Sequence, residues 1–442
     1  MPQEILRWYL SPICFFSNST LTVSALYIDF DDGNGYQTAG WNAVLYPGYT
    51  TPGTKNIKLK IVMSNSNQYE CYAPVTVANI PALERYSSSP PTPVYFNATG
   101  NHSGGRAFVR YSSSNSTSYL KKPLIVVEGF DAAQIAPNLA GRNYTYSHFV
   151  EALSRVSDLG YDFNYQLDDI AGYDLVFIDY NYGTDDIVRN ANLFKAVLNW
   201  VNADKALGGS TQQNVVLGIS MGGLVARYGL AHMTKNNEVT DTRLLITHDS
   251  PHQGANVPVG LQEIALNIGR VNLMGYNIDK VMPEYAEVKA LIAEPATKQL
   301  LMYRVEVHEN QLFPYFNFLN YYYSTIEQNT WLTSVYRPMV TFSTSDPQPT
   351  YRFIATSQGS ECGTQLFSPG AKLLNVQGNA AGILMPFLGV YSKANASIEA
   401  HALPNIGASN QIAKIDIWVK KYFLGIRIDK DVFKYTKTIN NS

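Results

Sequence analysis

Residues 214–228 read Asn-Val-Val-Leu-Gly-Ile-Ser-Met-Gly-Gly-Leu-Val-Ala-Arg-Tyr, and this stretch decides the fold. Its first four residues predict a short buried strand, and Gly222–His232 predict a helix. Ser220 stands at the turn between them, with Gly218 and Gly222 two positions to either side. A strand that turns sharply into a helix leaves no room for side chains at those two positions. The pattern therefore predicts a strained turn that lifts the Ser220 hydroxyl out of a sheet.

Ser220 in this position is predicted to be a nucleophile. The N-terminus of the following helix favours developing negative charge. The backbone N–H of Met221 would point into the site as one oxyanion donor. The alternative interpretation of the same residues is a glycine-rich turn with a structural serine.

Strands and helices alternate on both sides of this turn. A parallel sheet with crossover helices is predicted, and hence an α/β fold. The predicted strands are Pro123–Val127, Asp174–Ile178, Asn214–Leu217, Arg243–Thr247 and Tyr351–Thr356, with Arg106–Tyr111 as a first strand. The predicted helices are Ser147–Ser154 with Ser147 as N-cap, one that Asp185 or Asp186 caps and that runs to about Val201, and Gly222–His232.

The rest of the chain divides by composition. Residues 1–85 show alternating β-patterns with turn residues between them, which predicts a small β-sandwich. Residues 86–105 are rich in Ser, Pro, Asn and Gly and are interpreted as a linker to a domain over 106–442. Within that domain, residues 255–345 are expected to form a helical, aromatic-rich insertion, and residues 395–435 a terminal β element.

The composition excludes several classes of function. Lys and Arg number 33 and Asp and Glu 35, so no basic excess is available for a nucleic-acid partner. No stretch is long and apolar enough to span a bilayer, and no metal-binding or phosphate-binding motif appears, so no cofactor is predicted. Few charges and many tyrosines favour a secreted or cell-surface protein, although no signal peptide is apparent. The three cysteines allow two interpretations: one disulfide, for instance between Cys14 and Cys71, or three free thiols at Cys14, Cys71 and Cys362.

Two further motifs carry a family resemblance. Ser250–Gly254 reads Ser-Pro-His-Gln-Gly, which is similar to the Thr-Pro-His-x-Gly of bacterial lipases. Taken with Ser220–Gly223, the chain resembles a secreted bacterial lipase-like α/β-hydrolase, over about residues 122–260. Tyr27–Gly33 resembles the turn of a PKD-type immunoglobulin-like module, with Asp31 in place of a glycine. Its aspartates at 29, 31 and 32 are interpreted as a solvated hairpin turn, with calcium binding as the alternative.

The α/β-hydrolase resemblance implies the remaining site residues. The loop after Val127 has Glu128 where the family often has His, and the backbone N–H of Phe130 would be the second oxyanion donor. Glu128 would hold this loop, and Asp131 would do the same or contact substrate. The triad order Ser, acid, His points to Asp249 as the acid, with Glu361 as alternative. His401 is the base that the order favours, with His252 and His308 as alternatives.

The chemistry expected of such a site is hydrolysis of a carboxylic ester, lipid-like or polymeric, through an acyl-serine. The aromatic residues of 255–345 would supply a broad apolar pocket or a lid, or else they belong to the core. Two other functions fit the same residues. One is a surface or glycan-binding protein on a degenerate hydrolase fold, and the other is acyl transfer to an alcohol. The oligomeric state is not predicted by the sequence.

Overall fold

A computed structural model describes most of the chain and divides it into two units. The described residues are 8–9, 21–41, 44–45, 47, 49, 53–77, 90–133, 135–137, 145–154, 163–268, 272–273, 276–277, 283–311, 320–358, 367–385, 390–423 and 426–441. The first unit comprises residues 1–89 and 147–171, and the second comprises residues 90–146 and 172–442.

The first unit is built on a four-stranded antiparallel sheet. The unit contains six strands among its described residues: β1 Trp8–Tyr9, β2 Val23–Asp29, β3 Gln37–Ala39, β4 Val44–Leu45, β5 Gly53–Met63 and β6 Gln68–Val77. The sheet order is β3-β2-β5-β6, and β1 pairs with β4 separately. Leu26 and Ile28 alternate inward along β2 and are buried with Phe30 and Ile57. Leu45 of β4 packs against the same core, so among the described residues the four-stranded sheet and the short β1–β4 pair are the two sheets of this unit.

The aspartates of the first hairpin close their own turn. The Asp29 carboxylate accepts a hydrogen bond from the Asp31 N–H at 2.9 Å, and that of Asp32 accepts one from the Asn34 N–H at 3.1 Å. The Asp31 carboxylate accepts from the Asn56 N–H at 3.1 Å. These contacts are typical of side chains that shape a turn.

Two short helical segments follow in the chain. Helix α1 spans Tyr146–Ser154, and α2 spans Phe163–Tyr165 and continues as a π-helix over Gln166–Ile170. Because α1 begins at Tyr146, Ser147 lies inside the helix and is not its N-cap, which corrects the prediction by about one residue.

A seven-stranded mixed sheet forms the centre of the second unit. Its strands are β7 Val94–Phe96, β8 Gly105–Arg110, β9 Pro123–Val127, β10 Asp174–Tyr180, β11 Asn214–Ile219, β12 Thr242–His248 and β17 Arg352–Thr356. The order is β17-β12-β11-β9-β10-β8-β7. The five strands from β17 to β10 are parallel, and β8 and β7 add antiparallel strands at one edge. Strand β7 falls inside the predicted linker, because Val94–Phe96 pairs with β8 in this sheet.

Long helices join the parallel strands. Helix α3 spans Ile187–Leu207 and is capped by the Asp186 carboxylate, which accepts from the Val188 N–H at 2.7 Å. The helix therefore runs six residues beyond its predicted end at Val201. Helix α4 spans Met221–Lys235 and packs against α3, with Phe194 against Gly229. No helix in the described ranges is long and apolar enough to cross a membrane.

The segment 255–345 is only partly helical, which corrects the prediction. It contains helix α5 Val259–Asn267, helices over Pro283–Ala293, Pro295–Leu300 and Arg337–Val340, a π-helix over Leu332–Tyr336, and strands β13 Asn272–Leu273, β14 Tyr276–Asn277, β15 Tyr303–Gln311 and β16 Asn320–Gln328. The tyrosines at 321–323 lie on β16, which pairs with β15 as a hairpin. The aromatic run at 312–318 lies outside the described residues.

A second antiparallel sheet closes the chain and is larger than the predicted terminal element. Its strands are β18 Lys372–Met385, β19 Val390–His401, β20 Ser409–Phe423 and β21 Ile426–Asn440, in that order. Ile264 of α5 packs against Ala400, Ala413 and Ile415 of this sheet. Of the three cysteines, Cys71 is exposed and carries a free thiol, and the other two lie outside the described residues.

Candidate active site

The turn between β11 and α4 has the strained geometry that the sequence predicts. Ser220 has φ 51° and ψ −122°, a backbone conformation that L-residues rarely adopt. Its N–H donates to the His248 carbonyl at 2.9 Å, and its own carbonyl accepts from the Gly223 N–H at 3.0 Å. Both contacts fix the turn at the carboxyl edge of the sheet, between β11 and its neighbour β12.

Close backbone contacts explain why glycines flank the serine. A Cβ on Gly218 would stand 2.4 Å from the Gly223 Cα. A Cβ on Gly222 would stand 2.2 Å from the Val127 carbonyl oxygen and 2.4 Å from that of Glu128. Backbone atoms cannot move aside as a flexible side chain can, so both positions exclude any larger residue.

The loop that follows β9 approaches the same serine. A Cβ on Gly129 would lie 3.3 Å from the Ser220 Cβ. The next residue, Phe130, is partly buried and packs against the core of the sheet. The loop is therefore placed beside Ser220, and the predicted oxyanion residues Met221 and Phe130 belong to the two chain segments that meet there.

Asp249 follows β12 directly and lies on the same edge of the sheet. It too has a positive φ, 48°, and its N–H donates to the Thr356 carbonyl at 2.8 Å. Its carboxylate is exposed and accepts one weak hydrogen bond, from the Gln358 N–H at 3.4 Å. The alternative acid, Glu361, lies outside the described residues.

His252 is held as a structural side chain. Its Nδ1 lies 2.7 Å from the Tyr336 hydroxyl and its Nε2 lies 3.0 Å from the Thr247 hydroxyl, so both ring nitrogens have partners. Burial, with a smaller effect from the nearby Arg227, lowers its pKa to about 4. The imidazole is therefore neutral at pH 7, and neither nitrogen is free to take a proton from Ser220.

The other histidines that the sequence offers lie on different elements. His401 ends β19, with its Nε2 3.9 Å from the Glu399 carboxylate. Its Nδ1 is buried without a hydrogen bond among the described residues. His308, on β15, stacks on Tyr323 and has its Nε2 2.9 Å from the Thr325 hydroxyl.

The structure does not bring the predicted triad together through hydrogen bonds. Among the described residues, the Ser220 hydroxyl has no hydrogen-bond partner, and none joins Asp249 to His401. His248 is the histidine whose backbone touches the turn. Its ring, however, is directed at β17, with Nδ1 3.0 Å from the Thr356 hydroxyl.

A polar cavity of about 170 Å³ lies beside the Glu128–Asp131 loop, and sequence analysis did not predict it. It is lined by Arg106, Glu128, Asp131, Thr145, Asp179, Tyr180 and Asn181. Arg106 pairs with Asp179, with its Nε 3.0 Å from Oδ2. These two residues come from neighbouring strands β8 and β10. The sequence feature that could have indicated this cavity is Asp179, the acidic residue that follows the apolar run of β10.

Burial controls the charge of Glu128. The side chain is 2% exposed, and its Oε2 accepts from the Tyr180 N–H at 3.3 Å. Burial raises the pKa of Glu128 well above its ordinary value, and the carboxylates of Asp179 and Asp131 raise it further. Burial also raises the pKa of Asp179, against the opposing charge of Arg106. Glu128 therefore holds its proton more tightly in the folded chain than a solvated glutamate does.

No protein-family model matches the chain, and no curated protein matches it in sequence. Solved structures that match part of the chain include a serine hydrolase without a lid from Xanthomonas campestris, at 16% identity and TM-score 0.24 over 37% of this chain and 63% of that one. Est1E from Butyrivibrio proteoclasticus is 17% identical with a TM-score of 0.25, and the match covers 43% of this chain and 60% of that one. An esterase from Pyrobaculum calidifontis is 14% identical with a TM-score of 0.27, and the match covers 47% of this chain and 58% of that one. The chain thus spans about three fifths of the length of these neighbours. At such identities and TM-scores, the likenesses do not define the activity.

Proposed function

We propose that the chain is a serine hydrolase of carboxylic esters, built on an α/β-hydrolase fold, with Ser220 as its nucleophile. The observation that carries the proposal is the backbone of Ser220, which is strained at φ 51° between a buried parallel strand and a helix. Strain of this kind is kept where a function requires it, since folding alone would favour a relaxed residue. The glycines at 218 and 222, which admit no Cβ, support the same interpretation.

The reaction follows from the groups at the turn. A base takes the Ser220 proton while the oxygen attacks the ester carbonyl carbon. The N–H groups of Met221 and Phe130 would hold the resulting oxyanion, and its collapse expels the alcohol with the proton from the base. A water molecule, deprotonated by the same base, then attacks the acyl-serine and releases the acid.

The acid and base of this proposal are Asp249 and His401, as the chain order favours. Asp249 has the better support, because it lies on the same sheet edge as Ser220, one strand away. His401 lies on the second sheet, and no hydrogen bond among the described residues joins it to Ser220 or Asp249. His252 is excluded from the proposal because both of its ring nitrogens already have partners.

A non-catalytic binding protein on the same fold is the second candidate. One observation favours it: the Ser220 hydroxyl has no hydrogen-bonded base among the described residues. Acyl transfer to an alcohol shares the acyl-serine with hydrolysis, and the ratio of ester to acid formed in the presence of an added alcohol would distinguish the two.

Hydrolysis of a short aryl ester such as p-nitrophenyl butyrate tests the proposal. The native chain should turn over the ester, and Ser220→Ala should lower kcat by roughly 10³-fold or more. Ser334→Ala, which changes an exposed helical serine, should retain full activity. Loss of activity in Asp249→Asn and His401→Ala would support those assignments. Retained activity in His401→Ala would place the base elsewhere, while a folded native chain without turnover would favour the binding protein.

A further inference from the structure

The cavity beside the Glu128–Asp131 loop is lined by more acidic than basic side chains. Three carboxyl groups line it, those of Glu128, Asp131 and Asp179, against the single guanidinium of Arg106. Arg106 is already engaged, since its Nη2 lies 2.9 Å from the Asp179 Oδ2. Even with Glu128 protonated, the two carboxylates of Asp131 and Asp179 outnumber the single guanidinium among the described residues of the lining.

One buried polar group at this cavity lacks a partner of its own. The Tyr180 hydroxyl is buried and has no hydrogen bond among the described residues. Glu128 is also buried, and within the described part of the chain its Oε2 accepts from the Tyr180 N–H. An unsatisfied buried polar group costs about 1–3 kcal/mol, so a ligand that donates hydrogen bonds here would be stabilised.

The arrangement fits an organic cation better than a metal ion. No group of three acidic, histidine or cysteine side chains in the described ranges converges closely enough to hold a metal. An ammonium group donates hydrogen bonds at about 2.7–2.9 Å to separate oxygens, so it needs no such convergence. Since one water occupies about 30 Å³ of liquid, the cavity has room for roughly five to six waters or one small molecule.

We propose that this cavity binds a small primary ammonium group, and that the chain accordingly prefers esters whose alcohol carries such a group. The preference for the alcohol rests on the proposed function, and the ammonium site itself does not. The link between the two is the loop itself. Glu128 and Asp131 line the cavity, while Gly129 between them contacts Ser220. A cation held there would lie on the same loop that presents the Phe130 N–H to the reacting carbonyl.

Calorimetric titration of the native chain with ethanolammonium chloride tests the site, with ethylene glycol as the neutral probe of similar size, at constant ionic strength. Ethanolammonium should bind at least tenfold more tightly than ethylene glycol. Because a bound ammonium group favours the ionised form of Glu128, Glu128→Gln and Asp131→Asn should each weaken that binding at least tenfold. Asp431→Asn, which removes an exposed carboxylate from β21, should leave the affinity unchanged. Circular dichroism of each variant verifies the fold, and the comparison of the two probes on the native chain stands even if a variant does not fold.

Equal affinity for the two probes, unchanged affinity in both cavity variants, or no binding to the folded native chain would overturn the site. Labelling of Ser220 with a fluorophosphonate separates this outcome from failure of the proposed function. A labelled chain that binds no ethanolammonium contradicts the cavity proposal alone. A chain that binds ethanolammonium but takes up no fluorophosphonate keeps the ammonium site and contradicts the hydrolase.

Discussion

At the scale of the residue, the strain at Ser220 has a measurable effect on stability. A glycine adopts φ 51° and ψ −122° without a Cβ penalty, whereas alanine keeps that penalty. We therefore expect Ser220→Gly to be more stable than Ser220→Ala by on the order of 1 kcal/mol. Urea unfolding of both variants measures the difference in the free energy of unfolding. A more stable alanine variant would show that the turn is relaxed in solution.

Glu128 makes stability depend on pH in a defined direction. Its pKa is raised above the ordinary 4.5 in the folded chain, so the folded state binds its proton more tightly than the unfolded state does. As pH rises above about 4.5, the native chain loses stability until the raised pKa is passed. Glu128→Gln lacks this loss. The melting temperature of Glu128→Gln, relative to that of the native chain, should therefore increase from pH 5 to pH 8.

For a unit of this size, the expected gain in melting temperature is about 1–2 °C for each 1 kcal/mol of penalty removed. Thermal unfolding of both proteins at several pH values measures it. His252 contributes the opposite slope in both proteins, because its lowered pKa makes the folded chain lose stability as pH falls below 6.5. A difference in melting temperature that does not change with pH would show that Glu128 is solvated.

Single residues were predictable where backbone sterics leave one choice. The glycines at 218 and 222 mark the turn because no other residue fits against the backbone there. His252, in contrast, remained an alternative base because its Ser-Pro-His-Gln-Gly motif does not by itself exclude that role. Only the positions of Tyr336 and Thr247 show that its ring is fully engaged.

At the scale of the element, the close contact between the β11–α4 turn and the end of β9 determines whether a larger residue fits at position 222. Gly222→Ala places a Cβ against the Val127 and Glu128 carbonyl oxygens, and we expect it to destabilise the chain by about 1–3 kcal/mol or more. Gly378→Ala is the matched control, because an added Cβ there meets nothing within 4 Å. Chemical denaturation of both variants gives the comparison. Equal stability would mean that α4 can move away from β9.

A buried carboxylate joins α5 to two hairpins. Glu263 is fully buried, and its oxygens accept from the Ser324 hydroxyl at 2.9 Å and the Tyr435 hydroxyl at 2.6 Å. We expect Glu263→Ala to leave these donors unsatisfied and to lower the free energy of unfolding by roughly 2–4 kcal/mol. Tyr435→Phe should lower it by about 1–2 kcal/mol. Equilibrium unfolding in urea tests both values, and a neutral Glu263→Ala would show that water replaces the carboxylate.

The elements were predictable where one pattern dominates. Continuous apolar runs such as Pro123–Val127 and Asp174–Tyr180 belong to strands that are buried throughout. The hairpin of β15 and β16 was missed although Tyr321–Tyr323 favour a strand, because the eight residues between the two strands contain no glycine to indicate a turn. Strand β7 was missed because three residues in a polar stretch carry no periodicity of their own.

At the scale of the whole molecule, the site depends on residues far apart in the chain. The ion pair of Arg106 and Asp179 joins residues 73 positions apart, across two antiparallel strands. Sequence order placed Ser220 and Asp249 on one sheet edge, because the carboxyl ends of parallel strands meet there. Chain order also favoured His401 as the proposed base, but His401 lies on a separate antiparallel sheet, where that rule on strand ends does not apply.

The most direct test of the central claim is fluorophosphonate labelling of the native chain, followed by mass spectrometry of its peptides. An activated serine should carry the phosphonate on the peptide that contains Ser220, and Ser220→Ala should abolish the adduct while Ser334→Ala retains it. Heat-denatured protein should not react, because the activation depends on the folded turn. A folded native chain without an adduct, or with the adduct on a different serine, would contradict the claim that Ser220 is the nucleophile.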